Sequence, residues 1–203
     1  MVRSRTKAQS VSILALHYRP LVHLSSILVP VFVEVTSKPL ILVALFVVTV
    51  GYVAEELLRL RGRPVPLISR FTLRMSRQDE RSHFIAAPVF LAIGIILVLL
   101  LLPRNIAYAS IVVVAIGDPV AAYVGGEHGR RRVGGKTWEG FAAGAFAAFM
   151  PTLILVPPIV GAIGSIAGML LELIGGIDDN LTIPMGSGAA MFLTSALLAL
   201  KAL

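Results

Sequence analysis

Pro39-Leu-Ile-Leu-Val-Ala-Leu-Phe-Val-Val-Thr-Val-Gly-Tyr-Val-Ala54 contains no charged side chain, and the reading of this stretch decides the fold. An apolar run of about 18 or more residues is long enough to cross the roughly 30 Å hydrocarbon layer as a helix. A soluble core would instead space its apolar residues at a helical or strand period. The same texture returns along the chain, and the spacing predicts about seven spans near 20–37, 39–58, 84–102, 105–125, 138–156, 158–175 and 184–202. The composition agrees: 57% of the 203 residues are hydrophobic and 14% charged, and mean hydropathy is +0.88. A soluble domain is about 45–50% apolar and about 25% charged. The expected fold is therefore all-α, a polytopic transmembrane helical bundle forming one integral membrane domain over 1–203.

Charge placement orients it. Of 18 Lys+Arg, only Lys38, Arg104 and Lys201 fall on the side of the short turns and the C-terminus. The others lie in 1–19, 59–83 and 126–137, so the positive-inside rule places the N-terminus and the long polar loops in the cytoplasm. This topology accounts for the net charge of +7, with anionic lipid headgroups as a further partner. Nucleic acid is not an expected partner, because the basic residues are not interleaved with base-stacking aromatics. The basic start at Arg3, Arg5 and Lys7 lacks the apolar length and cleavage site of a signal peptide. With no cysteine, disulfides and thiolate metal sites are excluded.

Small residues recur at four-residue spacing: Gly117, Ala121 and Gly125; Gly140, Gly144 and Ala148; Gly164 and Gly168. Such positions let helices approach closely, and they predict a compact C-terminal half, 105–203, that carries the chemistry.

Asp118 stands out within that half. It follows Ile111-Val-Val-Val-Ala-Ile-Gly117 and precedes Pro119, and a carboxylate at membrane depth is costly enough to suggest function. An ion pair with another helix is the structural alternative. The loop that follows contains Gly125, Gly126, Gly129, Arg130, Arg131, Arg132, Gly134, Gly135, Lys136 and Thr137, ending at Glu139-Gly140. Glycines admit backbone N–H groups to phosphate oxygens, while guanidinium and ammonium groups neutralise them. The helix start after Thr137 also favours anions. A Walker A loop is excluded, since Arg130 occupies the position of its first glycine and no strand leads in.

Acidic residues gather on the same predicted side, at Glu172 and at Asp178-Asp179-Asn180. Mg²⁺ is usually held by one or two carboxylates together with substrate phosphates. Asp118 with Asp178 or Asp179 would supply them if the spans converge; a solvated turn is the alternative for Asp178. In the N-terminal half, Arg19 and His23 are one helical turn apart, and Glu55 and Arg59 have the spacing of an intrahelical ion pair. Glu80 and Arg81 close the loop before the third span.

In this order the motifs resemble the CTP-dependent lipid kinases: dolichol kinase, phytol kinase and the CTP-using diacylglycerol kinases, relatives of phosphatidate cytidylyltransferase. The resemblance runs over most of the chain. It rests on Arg19-Pro-Leu-Val-His23, Glu55 with Arg59, Arg77-Gln-Asp-Glu80, Gly117-Asp118, Gly125, Gly129, Gly135-Lys-Thr-Trp-Glu-Gly140, Glu172 and Asp179-Asn-Leu-Thr-Ile-Pro184. Pro20 departs from the family's usual lysine.

The resemblance implies transfer of the γ-phosphoryl group of CTP to a membrane lipid alcohol, dolichol- or polyprenol-like, at the cytoplasmic face of a cell membrane; the small size suggests a prokaryotic enzyme. It implies Mg²⁺ at Asp118, Glu172, Asp178, Asp179 and Asn180. Asp118, Lys136 and Glu139 would be catalytic, with Glu139 orienting Lys136 or the metal. Gly117 and the loop would bind nucleotide, and Arg19, His23, Glu55, Arg59 and Glu80 would meet the lipid headgroup. A CDP-lipid synthase and an anion transporter are the alternatives.

Overall fold

The computed structural model describes residues 20–76, 80–176 and 178–201. Each predicted apolar segment coincides with a helix. The first, Pro20–Val35 (α1), is interrupted at Ser26-Ile27 and resumes over Leu28–Val35. Lys38–Leu60 (α2), Pro66–Met75 (α3), Ala87–Leu101 (α4) and Arg104–Val112 (α5) follow. After a π-helical segment, Val113–Gly117, come Asp118–His128 (α6), Trp138–Thr152 (α7), Pro158–Ile174 (α8) and Asp179–Lys201 (α9).

Lys38–Leu60, the continuous Arg104–His128 and Asp179–Lys201 are long and apolar enough to cross a membrane; Pro20–Val35, Ala87–Leu101 and Pro158–Ile174 are apolar but shorter. The 15 residues of Trp138–Thr152 rise only about 22 Å at 1.5 Å per residue. Burial separates a centre from a periphery. The apolar window of Arg104–His128 is 72% buried, against 11% for that of Lys38–Leu60. On α2, Val43, Phe46, Val47, Val48 and Val50 all face outward. So large an exposed apolar surface suits a membrane or another apolar partner rather than water.

The π-segment packs against α7, α8 and α9, and the core extends from there to α4 and α5, with Val98, Ile111, Val113, Val114, Ala148, Val160, Ile183 and Met191 at its middle. The small residues perform the expected packing. A Cβ on Gly117 would lie 2.5 Å from Met169 Sδ, and one on Gly144 2.8 Å from the Gly117 carbonyl oxygen. One on Gly168 would lie 3.0 Å from Ser187 Cβ. Backbone-level approach of this kind is open only to residues without side-chain bulk.

The polar connections carry more structure than a loop reading gives. Segment 59–83 contains α3 and a 3-10 turn, Glu80–Ser82. Segment 126–137 begins as helix to His128, then forms an antiparallel hairpin pairing Arg132 with Thr137 and Val133 with Lys136. This small sheet is the one departure from an all-α fold among the described residues. Its turn needs Gly134 at φ +58°, a conformation that costs glycine little. The last helix starts at Asp179, so Asp179 and Asn180 are helical and Pro184 lies inside the helix.

Candidate phosphate and metal site

The site begins with a distortion in the central helix. Pro119 has no N–H to bond the carbonyl one turn earlier, and its ring crowds that carbonyl. The chain widens into the π-turn Val113–Gly117 immediately before Asp118, a device found often at functional positions. Asp118 is 7% exposed. It is level with the last turn of α8, which carries Glu172, and with the first residue of α9, Asp179, because ligand oxygens of the three carboxylates lie within 4.8 Å of one another. From Asp118 to His128 the helix runs on for about 15 Å. Asp118 therefore lies at one end of the neighbouring helices and not at their midpoint.

The hairpin delivers a cation to this cluster. Lys136 Nζ donates to Asp179 Oδ2 at 2.7 Å and also to Glu172 Oε1. Burial works to lower the Lys136 pKa, but its hydrogen bonds to Asp179 and Glu172 outweigh that and hold it above the ordinary lysine value. On the other flank His23 Nε2, from α1, lies 3.4 Å from Asp118 Oδ2. Three carboxyl groups thus meet one ammonium and one imidazole, an excess of acidic oxygen that a bound cation would offset. The donor set is hard oxygen, which fits a hard divalent cation.

Other expected residues fall elsewhere. Asp178 accepts from Asn180 N at 2.9 Å and Asn180 Nδ2 at 2.7 Å. Its carbonyl accepts from Leu181, Thr182 and the Thr182 hydroxyl. Asp178 thus starts the helix, and Asp179 joins the cluster. Glu139 accepts from the backbone N–H groups of Arg130 and Arg131 at 3.1 to 3.3 Å. It shapes the loop and does not meet Lys136.

Gly125, Gly129 and Gly140 sit tightly against the Thr137 side chain, which itself accepts from Gly140 N at 3.1 Å. Their small size serves packing. Gly126, Gly134 and Gly135 face open space, beside exposed Arg130, Arg131 and Arg132.

Glu55 and Arg59 are not an ion pair. Arg59 instead bonds Glu56, Nη2 to Oε1 at 2.6 Å and Nε to Oε2 at 2.8 Å, and donates to the carbonyls of Arg81 and His83. Glu55 accepts from the Ser69 hydroxyl. Glu56, fully buried, was not singled out in the sequence, although its adjacency to Glu55 was visible there. Arg19, Arg77 and the side chain of Glu80 lie outside the described residues.

At the opposite end of the bundle, Arg104 bonds Glu34, and Tyr108 donates to the same carboxylate at 2.7 Å. These residues line a cavity of about 330 Å³ with Lys38 and Leu99. The polar ends of α1, α2 and α5 thus meet, beside the apolar end of α4, away from Asp118.

The chain is similar to an uncharacterized protein of Rickettsia prowazekii (strain Madrid E), 27% identical over 184 residues, covering 82% of this chain and 88% of that protein. No protein-family model matches, and no solved structure does.

Proposed function

We propose that this protein is a multi-pass membrane enzyme that transfers the γ-phosphoryl group of CTP to the hydroxyl of a membrane lipid alcohol. The observation that supports this most is the convergence of Asp118, Glu172 and Asp179 from three helices within 4.8 Å, with Lys136 clamped between two of them. Phosphoryl transfer asks little covalent chemistry of a protein and much positioning and charge compensation. The cluster has the residue types for both. In this reading the seven helical segments cross the bilayer, the N-terminus is cytoplasmic, and the Asp118 end faces the cytoplasm.

Asp118, Glu172 and Asp179 would hold Mg²⁺, which when bound offsets the charge of the phosphate oxygens. Lys136 and the exposed Arg130, Arg131 and Arg132 supply positive charge to the triphosphate. The lipid hydroxyl oxygen forms a bond to the γ-phosphorus, the bond from that phosphorus to the β,γ-bridging oxygen breaks, and CDP leaves. The hydroxyl proton passes to Asp118, which His23 holds in place. The neighbouring apolar surface admits the alcohol laterally from the bilayer.

The choice of CTP and of a dolichol- or polyprenol-like alcohol rests on the sequence resemblance. The test is purified protein incubated with each of the four ribonucleoside triphosphates and a panel of lipid alcohols and lipid phosphates. A phosphorylated alcohol with CTP preferred supports the proposal. A CDP-lipid formed from a lipid phosphate would replace it with a cytidylyltransferase, and anion flux without nucleotide turnover with a transporter.

A further inference from the structure

Helix α3, Pro66–Met75, is packed inside out relative to a helix on a water-soluble protein. Ser69, Thr72 and Ser76, spaced to share one face, are buried. The Ser69 hydroxyl reaches Glu55 on α2. On the adjoining side Ile68 is 43% exposed and Phe71 61% exposed. Arg70 and Arg74, one turn apart, flank that apolar side and are exposed. The helix follows directly on α2 through Arg61-Gly62-Arg63-Pro64, whose arginines are exposed as well. In water this arrangement leaves an aromatic ring bare and hides hydroxyls. At a bilayer surface it places each group in a suitable medium.

We propose that α3 is an interfacial anchor lying on the anionic leaflet at the end of α2. Its Ile68 and Phe71 side chains enter the headgroup–acyl boundary, and Arg61, Arg63, Arg70 and Arg74 contact anionic headgroups. Amphipathic helices of this kind settle about 5–10 Å into that boundary, and basic residues beside a span are drawn to anionic lipid. The buried hydroxyl face fixes α3 to Glu55, so the bilayer surface and the bundle end are held in one register. The proposal rests on the membrane placement given above.

The chain has no cysteine, so one introduced cysteine takes one label. Phe71→Cys, carrying an environment-sensitive fluorophore, is reconstituted as full chain in phosphatidylcholine vesicles with and without phosphatidylglycerol. Val47→Cys on α2 and Glu127→Cys on α6 serve as references. A label at 71 should be quenched by a nitroxide lipid at least about twofold more than one at 127, and by iodide correspondingly less. Phosphatidylglycerol should deepen the nitroxide quenching, and Arg70→Gln with Arg74→Gln should remove that increment.

Iodide access at 71 equal to that at 127 would overturn the proposal while leaving membrane placement intact, provided the label at 47 is quenched by nitroxide lipid. Escape of the label at 47 would overturn membrane placement itself. Shielding at 71 that ignores nitroxide lipid and grows with protein density would assign the face to a second copy and overturn the proposal.

Discussion

His23 Nε2 stands 3.4 Å from Asp118 Oδ2, so the first apolar helix contributes directly to the acidic cluster of the C-terminal half. His23 is only 3% exposed, and a buried partner at this distance fixes where the carboxylate points. His23→Ala should lower kcat about 10- to 100-fold with a smaller change in KM, in the range expected for a side chain that orients an acidic ligand. His23→Gln, which retains a donor, should recover part of the loss. Equal kcat in wild type and His23→Ala would remove His23 from the site.

Asp118→Asn keeps the shape of the side chain and removes its charge and basicity. Turnover should fall at least about 1000-fold, since both positioning and proton acceptance are lost. A rate near that of the wild type would sink the assignment.

Glu172→Gln and Asp179→Asn test the metal. Each should raise the Mg²⁺ concentration for half-maximal activity about tenfold or more, while Asp178→Asn should not, because Asp178 is occupied by Asn180. Mg²⁺ titrations at saturating nucleotide read this directly. Equal shifts for all three variants would contradict the separation of Asp178 from the cluster.

Lys136 gives a pH signature. Its pKa in the folded protein is raised, so its stabilising effect is complete below the unfolded-chain value of about 10.4 and is lost as pH rises through the folded value. Thermal unfolding in detergent should show the wild type losing stability in that alkaline range. Lys136→Met, less stable at neutral pH, should lack that loss. Parallel alkaline profiles would show that Lys136 is not held by Glu172 and Asp179.

Gly117→Ala places a methyl 2.5 Å from Met169 Sδ. Overpacking of this kind costs about 1–3 kcal/mol. The double variant with Met169→Ala should regain stability, because the obstructing side chain is gone. A full-strength defect in the double variant would point to the backbone at the π-turn instead.

The helices were legible because apolar length is a local property: every predicted span overlies a helix, and the Gly117, Gly144 and Gly168 positions bring helices together as their spacing implies. The site was legible in its residue types and less so in its partners. Nothing local distinguishes Asp178 from Asp179; the helix start does, by turning one into its cap and the other towards Lys136. Arg59 had two acidic neighbours within reach; Glu55 turns to the Ser69 hydroxyl on α3, and Glu56, which also accepts from the Ile85 N–H, meets Arg59. The pairings of His23 with Asp118 and of Glu34 with Arg104 join distant segments, which no periodicity can express. Gly125 and Gly129 carried the right residue for a phosphate loop and serve to seat Thr137.

The central claim is a γ-phosphoryl transfer, and it is tested most directly by where the label goes. Purified protein, Mg²⁺ and a polyprenol are incubated in parallel with CTP labelled at the γ-phosphorus and CTP labelled at the α-phosphorus. The account predicts label in the lipid fraction from the γ position alone, with CDP as the other product. Label in the lipid from the α position, or none from either, would contradict it.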